Sequence, residues 1–172
     1  MARLTILEYP DSRLHTIAQP VEDFGPWLEQ LVEDMIETMY DAKGIGLAAT
    51  QVNIHRRVLI MDLAKNDEPQ NLQVFVNPKI IAKAGEQDYE EGCLSVPGIY
   101  ETVRRAAQVT VEAQNVFGET FTVEAHGIMA VCLQHEMDHL DGKVFVQYLS
   151  RLKQDRVESK LKKRHRELSK KR

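Results

Sequence analysis

The sequence predicts an α+β fold: antiparallel β-strands packed around one central buried helix, with further helices at the N-terminal and C-terminal ends. Three observations carry this. Val109, Val111 and Ala113 alternate with Thr110, Glu112 and Gln114, and Phe121, Val123 and Ala125 repeat the alternation. Strict period-two patterning on both sides of Asn115-Val116-Phe117-Gly118-Glu119 reads as a hairpin. The run Ile128-Met129-Ala130-Val131-Cys132-Leu133 is almost wholly apolar, so the helix containing it is expected to be buried. After Phe24-Gly25-Pro26, the residues Trp27, Leu28, Leu31, Met35 and Met39 recur at helical spacing.

The elements follow in order. Pro26 suits the first turn of a helix, where its missing N–H costs nothing. The stripe from Trp27 to Met39 is expected to face the core, and Lys43-Gly44 ends the helix. Residues Gly44 to Gln51 read as a small-residue loop, whose glycines let the backbone come close to a ligand. A phosphate loop is excluded there, because the G-x-x-x-x-G-K-[ST] spacing is absent. Val58–Met61 and Gln73–Val76 read as strands separated by a polar loop, and Lys79–Ala84 as a further strand. Gln108–Gln114 and Thr120–Ala125 form the hairpin. The central helix spans Gly127 to Leu140, and Gly142 can terminate it. A last helix is expected from about Ser150, with Leu152 and Leu161 facing inward. No repeat or linker interrupts the chain, so residues 1–172 read as one domain with a basic C-terminal helix at about 150–170.

Composition excludes several classes. The hydrophobic fraction of 43% and charged fraction of 28% are ordinary for a soluble globular protein. No apolar stretch approaches a membrane span, and the N-terminus lacks the h-region of a secretory signal. With two cysteines, one of them a potential metal ligand, a disulfide is not expected, and a reducing cytoplasmic location is. The net charge of −4 hides an asymmetry. Residues 151–172 hold eleven Lys/Arg against three Asp/Glu, and residues 1–150 hold eleven against twenty-three. A basic end on an acidic body suggests a polyanionic partner; a solvated terminal helix is the bland alternative.

The chemistry concentrates in Gln134-His135-Glu136-Met137-Asp138-His139. On a helix, His135 and His139 stack one turn apart on one face and can grip a single metal ion. Glu136 can then project toward a metal-activated water and handle its protons. Such a site needs a third protein ligand. His165 lies in a repulsive basic tail, and Glu158 and Glu167 are expected to be solvated. Cys132 is seven residues before His139, about 10.5 Å along a helix, near the limit of joint reach. It reads as a small apolar residue packed beside the site. Cys93, in Glu91-Gly92-Cys93-Leu94-Ser95, reads either as a thiolate ligand or as an inert buried thiol.

At this point the chain resembles the peptide deformylases. Three motifs match in order: Gly44-Ile45-Gly46-Leu47-Ala48-Ala49-Thr50-Gln51, then Glu91-Gly92-Cys93-Leu94-Ser95, then Gln134-His135-Glu136-Met137-Asp138-His139-Leu140-Asp141-Gly142. The opening Ile6-Leu7-Glu8-Tyr9-Pro10-Asp11 and the helix reaching Met39-Tyr40 also resemble the bacterial form, and the likeness extends to about Leu161. The resemblance implies that Cys93, His135 and His139 bind the metal. It implies that Glu136 is the acid/base and that Gln51 and the backbone N–H of Leu94 hold the developing oxyanion. It places Ile45, Gly46, Gly92 and Cys132 around the substrate, an N-formylmethionyl peptide that would lose its formyl group as formate. It implies Fe²⁺ as the native metal, replaceable by Zn²⁺, Ni²⁺ or Co²⁺; the ligand set alone would favour Zn²⁺. It also implies a ribosome-binding C-terminal helix, and a monomer is expected.

Two other classes are weighed. A zinc endopeptidase of the H-E-x-x-H type would need a His or Glu ligand downstream, and the chain offers no good one. A nucleic-acid-binding module with a structural metal fits the basic tail, but the acidic body and the lack of an aromatic stacking motif count against it.

Overall fold

The computed structural model describes residues 2–171. Helix α1 spans Pro26–Asp41 and opens with its proline in the first turn. It buries Leu28, Leu31, Val32, Met35 and Met39. Trp27, expected in the same stripe, is instead 50% exposed. It stands about 100° around the helix from the fully buried Leu28, which turns it away from the core.

The segment expected to be a loop contains strand β1, Gly46–Ala48, followed by a 3-10 turn over Ala49–Val52. Three residues are too few for alternation to show. All three are buried, and β1 pairs antiparallel with β2 (Val58–Asp62), Leu47 opposite Ile60. Strand β3 runs unbroken over Leu72–Ala84, where two separate strands were expected. Pro78 interrupts the ladder without ending it, and the register shifts between Val76 and Lys79. Asn77 sits there at φ 52°, accepts from Val21 N–H (2.7 Å) and donates to the Gln114 side chain (2.8 Å). This is a β-bulge, which bends a strand while keeping it paired.

Strands β4 (Gln87–Cys93) and β5 (Val96–Arg105) form a second sheet of their own. The stretch around Cys93 was expected to be irregular. It reads poorly as a strand because β4 buries only Glu91, so no apolar alternation marks it. Cys93 pairs with Val96 across the Leu94-Ser95 turn, which fixes Cys93 at the hairpin tip.

Strands β6 (Gln108–Gln114) and β7 (Thr120–His126) form the expected hairpin, Val111 opposite Val123. The main sheet has the order β1-β2-β3-β6-β7, antiparallel throughout. Helix α2, Gly127–Leu140, packs on one face through Leu133, Met137 and Leu140 against Leu59, Met61, Phe75 and Val111. On the other face α1 meets Leu47, Ile60 and Val76. A third apolar cluster joins Val96 and Val103 of β5 to Phe145, Val157 and Leu161.

Helix α3, Arg151–Lys170, starts on Ser150, whose hydroxyl accepts from Lys153 N–H. Leu161 faces inward as expected, together with Val157, but Leu152 is 60% exposed. Leu152 and Leu161 are nine residues apart, two and a half turns, so one helix cannot turn both to the same side. No helix among the described residues is long and apolar enough to cross a membrane.

Candidate metal centre

Helix α2 and the β4–β5 hairpin bring the three predicted ligands together. Atoms of Cys93, His135 and His139 able to bind a metal all lie within 4.8 Å of one another. Cys93 Sγ is 3.3 Å from His139 Nε2, and the two imidazole rings are 5.0 Å apart at 74°. One thiol and two imidazoles, the histidines buried, are a donor set suited to a divalent first-row cation. The tip of the hairpin delivers Cys93 from off the helix, a direction Cys132 could not supply.

A buried carboxylate orients His135. Its Nδ1 lies 2.8 Å from Glu91 Oε1, which leaves Nε2 to face Cys93 and His139. Glu91 is clamped in turn by Arg105, through Nε (2.5 Å) and Nη2 (2.9 Å). Arg105 Nη1 reaches Asp138 (2.8 Å), which also accepts from the Tyr148 hydroxyl (2.7 Å). Burial would raise the Glu91 carboxyl, but its bonds to His135 and Arg105 outweigh that and hold it below the usual range. Glu91 lies inside the second motif but its sequence context assigns it no role, and Arg105 lies outside all three motifs. Nothing in the adjacent Arg104-Arg105 signals that one of the two will be buried; only the fold pairs Arg105 with Glu91 and Asp138.

Glu136 lies on α2 with its carboxylate against Gly46, where a Cβ would collide with it and press on Cys132 Sγ at 3.1 Å. So β1 needs glycine there to let the carboxylate in. Burial pushes the Glu136 carboxyl up to about 7, and its Oε1 has no hydrogen-bond partner. Gln51 is buried, and its amide is oriented. Oε1 accepts from Ala48 N–H (2.9 Å), which turns Nε2 toward Ser95 Oγ (3.0 Å) and Cys93 Sγ (3.5 Å). The donor end of Gln51 therefore faces the ligand cluster.

A cleft of about 510 Å³ opens on these groups, lined by Ile45, Gly46, Gln51, Gly92, Leu94 and Glu136, among others. A side hollow of about 80 Å³ adjoins it, walled by Ile45, Ile128, Val131 and Cys132. Nine of the ten predicted site residues line the cleft or its side hollow; His139 lines neither and joins the site through its contact with Cys93. Ile128 and Val131 were read only as part of an apolar run; that they face a hollow depends on how β1 and β4 sit beside α2. A larger cleft of about 690 Å³ lies elsewhere, around Lys79, Lys83 and Lys143. None of the three ligands nor Glu136 lines it.

The same residues place the chain among known proteins. The family model "Polypeptide deformylase" matches residues 3–155. This chain belongs to that family. A peptide deformylase of Neisseria meningitidis serogroup B is 60% identical over 165 residues, covering 95% of this chain and 97% of that protein. The crystal structure of a Legionella pneumophila peptide deformylase superposes with a TM-score of 0.91 at 48% identity, covering 98% of each chain. One from Ehrlichia chaffeensis, solved in complex with actinonin, gives 0.92 at 38% identity, covering 96% of this chain and 99% of that one. The family assignment agrees with the α+β architecture and with a Cys/His/His metal site, and it covers both the hairpin and α2.

Proposed function

We propose that this chain removes the formyl group from the N-terminal N-formylmethionine of nascent polypeptides and releases formate. The observation that carries this reading is the convergence of Cys93, His135, His139, Glu136 and Gln51 on one cleft in a chain of the deformylase family.

Cys93, His135 and His139 would hold a divalent cation, which when bound would supply Lewis-acid activation of water and of the formyl carbonyl. The metal is Fe²⁺, with Zn²⁺, Ni²⁺ or Co²⁺ able to take its place. Glu136 accepts the proton of the attacking water at its carboxylate, a transfer favoured by a carboxyl poised near neutrality. The water oxygen bonds to the formyl carbon. The Gln51 amide and the Leu94 N–H donate to the oxygen on which negative charge gathers. Glu136 then passes the proton to the amine as the carbon–nitrogen bond breaks, leaving formate and a free N-terminus. Strand β1 is an edge strand, so Gly46 can pair with an extended peptide backbone, with Ile45 beside it at the cleft wall. Ile45, Gly92 and Cys132 wall the small hollow that takes the methionine side chain.

The zinc-endopeptidase reading is disfavoured by the third member of the cluster, which is Cys93 rather than a downstream His or Glu. Formate release from formyl-Met-Ala-Ser after anaerobic purification tests the choice. Release of formate without cleavage of internal peptide bonds is expected; cleavage of internal bonds without formate would reverse the assignment.

The rest of the reading concerns setting. Residues 1–172 act as one domain and work as a monomer in the cytoplasm, where formylated chains emerge. Helix α3 docks on the ribosome through its basic surface. Its support is charge: eleven Lys/Arg against three Asp/Glu in residues 151–172. Such binding should weaken steeply with salt, as counterion release requires.

A further inference from the structure

The substrate cleft does not end at the residues that flank the metal ligands. Gly98, Ile99 and Tyr100 of β5 line it, and the same three residues line a second groove of about 650 Å³ between β5 and α3. Tyr100 stands between the two. Its ring packs on Gly92, where a Cβ would strike it, and it is 66% exposed. The far wall is α3, with Leu152, Arg156, Val157 and Lys160. Leu152 is 60% exposed, so the groove carries apolar surface at both sides of its mouth.

Charge gives the groove a sign. Lys153 is paired with Glu101 (3.0 Å), and Asp155 with Arg151 (3.3 Å). Among the described residues no ion pair reaches Arg156 or Lys160, so two cations remain available to an incoming chain. Strand β5 pairs with β4 on one side only, so it is an edge strand, which suits an extended segment.

We infer that the β5–α3 groove is a distal subsite for the nascent polypeptide itself, holding residues downstream of the formylmethionine and favouring acidic side chains there. This rests on the deformylase reading of the metal cleft. A chain bound by its formyl end leaves over Tyr100 and enters the groove without a break in the surface. Tyr100 and Leu152 offer apolar contact to alternate side chains, and Arg156 and Lys160 meet carboxylates. The effect lies in capture: such contacts are made equally in ground and transition states, so they lower KM and leave kcat almost unchanged.

The test compares the metal-loaded full-length enzyme on three substrates: formyl-Met-Ala-Ser, and two extensions of it to about twelve residues, long enough to reach beyond the first cleft at roughly 3.3 Å per residue. One extension carries Asp and Glu downstream and the other carries Ser and Gln. The acidic peptide should show a kcat/KM roughly fivefold above the tripeptide, mainly through KM, and the neutral peptide an intermediate value. R156E combined with K160E should erase the advantage of the acidic peptide. L152A should reduce the advantage of both long peptides. Both variants should cleave the tripeptide as the wild type does. With the tripeptide cleaved, equal kcat/KM for all three substrates overturns the subsite. So does an acidic advantage that survives both variants. Failure to release formate from the tripeptide would strike instead at the deformylase reading.

Discussion

The same trio of side chains, a glutamate held by an arginine and a histidine, occurs twice among the described residues. Glu91 is gripped by Arg105 and His135 behind the metal ligands, with Glu91 and Arg105 side chains 3% and 5% exposed. Glu8 is gripped by Arg164 and His165, tying α3 to the N-terminal segment, with side chains 27%, 43% and 38% exposed. The chemistry is alike and the consequences differ. In the interior, each charge depends on its partner, because water cannot replace it, so the cluster has a high cost of disruption and fixes geometry. At the surface, water and salt compete, and the pairing contributes little. The helices reflect the contrast: α2 buries ten of its fourteen residues, α3 two of its twenty. Fixed geometry belongs where chemistry is done, and exposed charge where a partner can be met.

The largest effect is expected at the ligands. Cys93→Ala should abolish tight metal binding and with it formate release, whereas Cys132→Ala, whose sulfur only packs against the site, should keep the metal. Metal content after dialysis decides; equal loss in both would remove Cys93 from the ligand set.

Next comes the buried trio. Arg105→Met leaves Glu91 and Asp138 without their cation and should cost about 3–5 kcal/mol in urea unfolding, with little relief from added salt. Glu8→Gln should cost well under about 1 kcal/mol, and that loss should fade at high salt. Comparable costs for the two would break the comparison. The surface trio also has a pH signature. Burial would raise Glu8, but its bonds to Arg164 and His165 prevail and lower it. Its folded pKa therefore lies below the unfolded value of about 4.3, so its contribution is present above that pH. It is lost as pH falls through the folded pKa, and Glu8→Gln should narrow the stability gap between neutral and acid pH accordingly.

The smallest effect on turnover concerns the tail. Removing residues from Lys162 onward deletes Arg164 and His165 but no residue of the cleft. Turnover of formyl-Met-Ala-Ser should stay near wild type, while ribosome co-sedimentation falls. Unchanged co-sedimentation at low and high salt would leave α3 as a solvated terminal helix.

Much of the site was legible in the sequence because its residues lie in short local patterns. His135, Glu136 and His139 share one helix, and the apolar run before them with Gly142 after them gave that helix its span, Gly127 to Leu140. Cys93 came from likeness to known motifs rather than from physics, because the polar strand β4 carries no alternation. What stayed hidden depends on contacts distant in the chain. Arg105 gains meaning only where β5 meets β4 and α2. Strand β1 was read as a loop because three residues show no period. The bulge at Asn77 made one strand look like two. Leu152 was expected inward along with Leu161, against the helical period that separates them.

The central claim is that Glu136 moves protons and does not hold the metal. Glu136→Gln keeps the size of the side chain and removes the base. Metal content and formate release from formyl-Met-Ala-Ser, measured on the same preparation, test the claim together. The expected result is wild-type metal occupancy with turnover reduced at least about a hundredfold. Near-wild-type turnover, or loss of the metal along with activity, would contradict it.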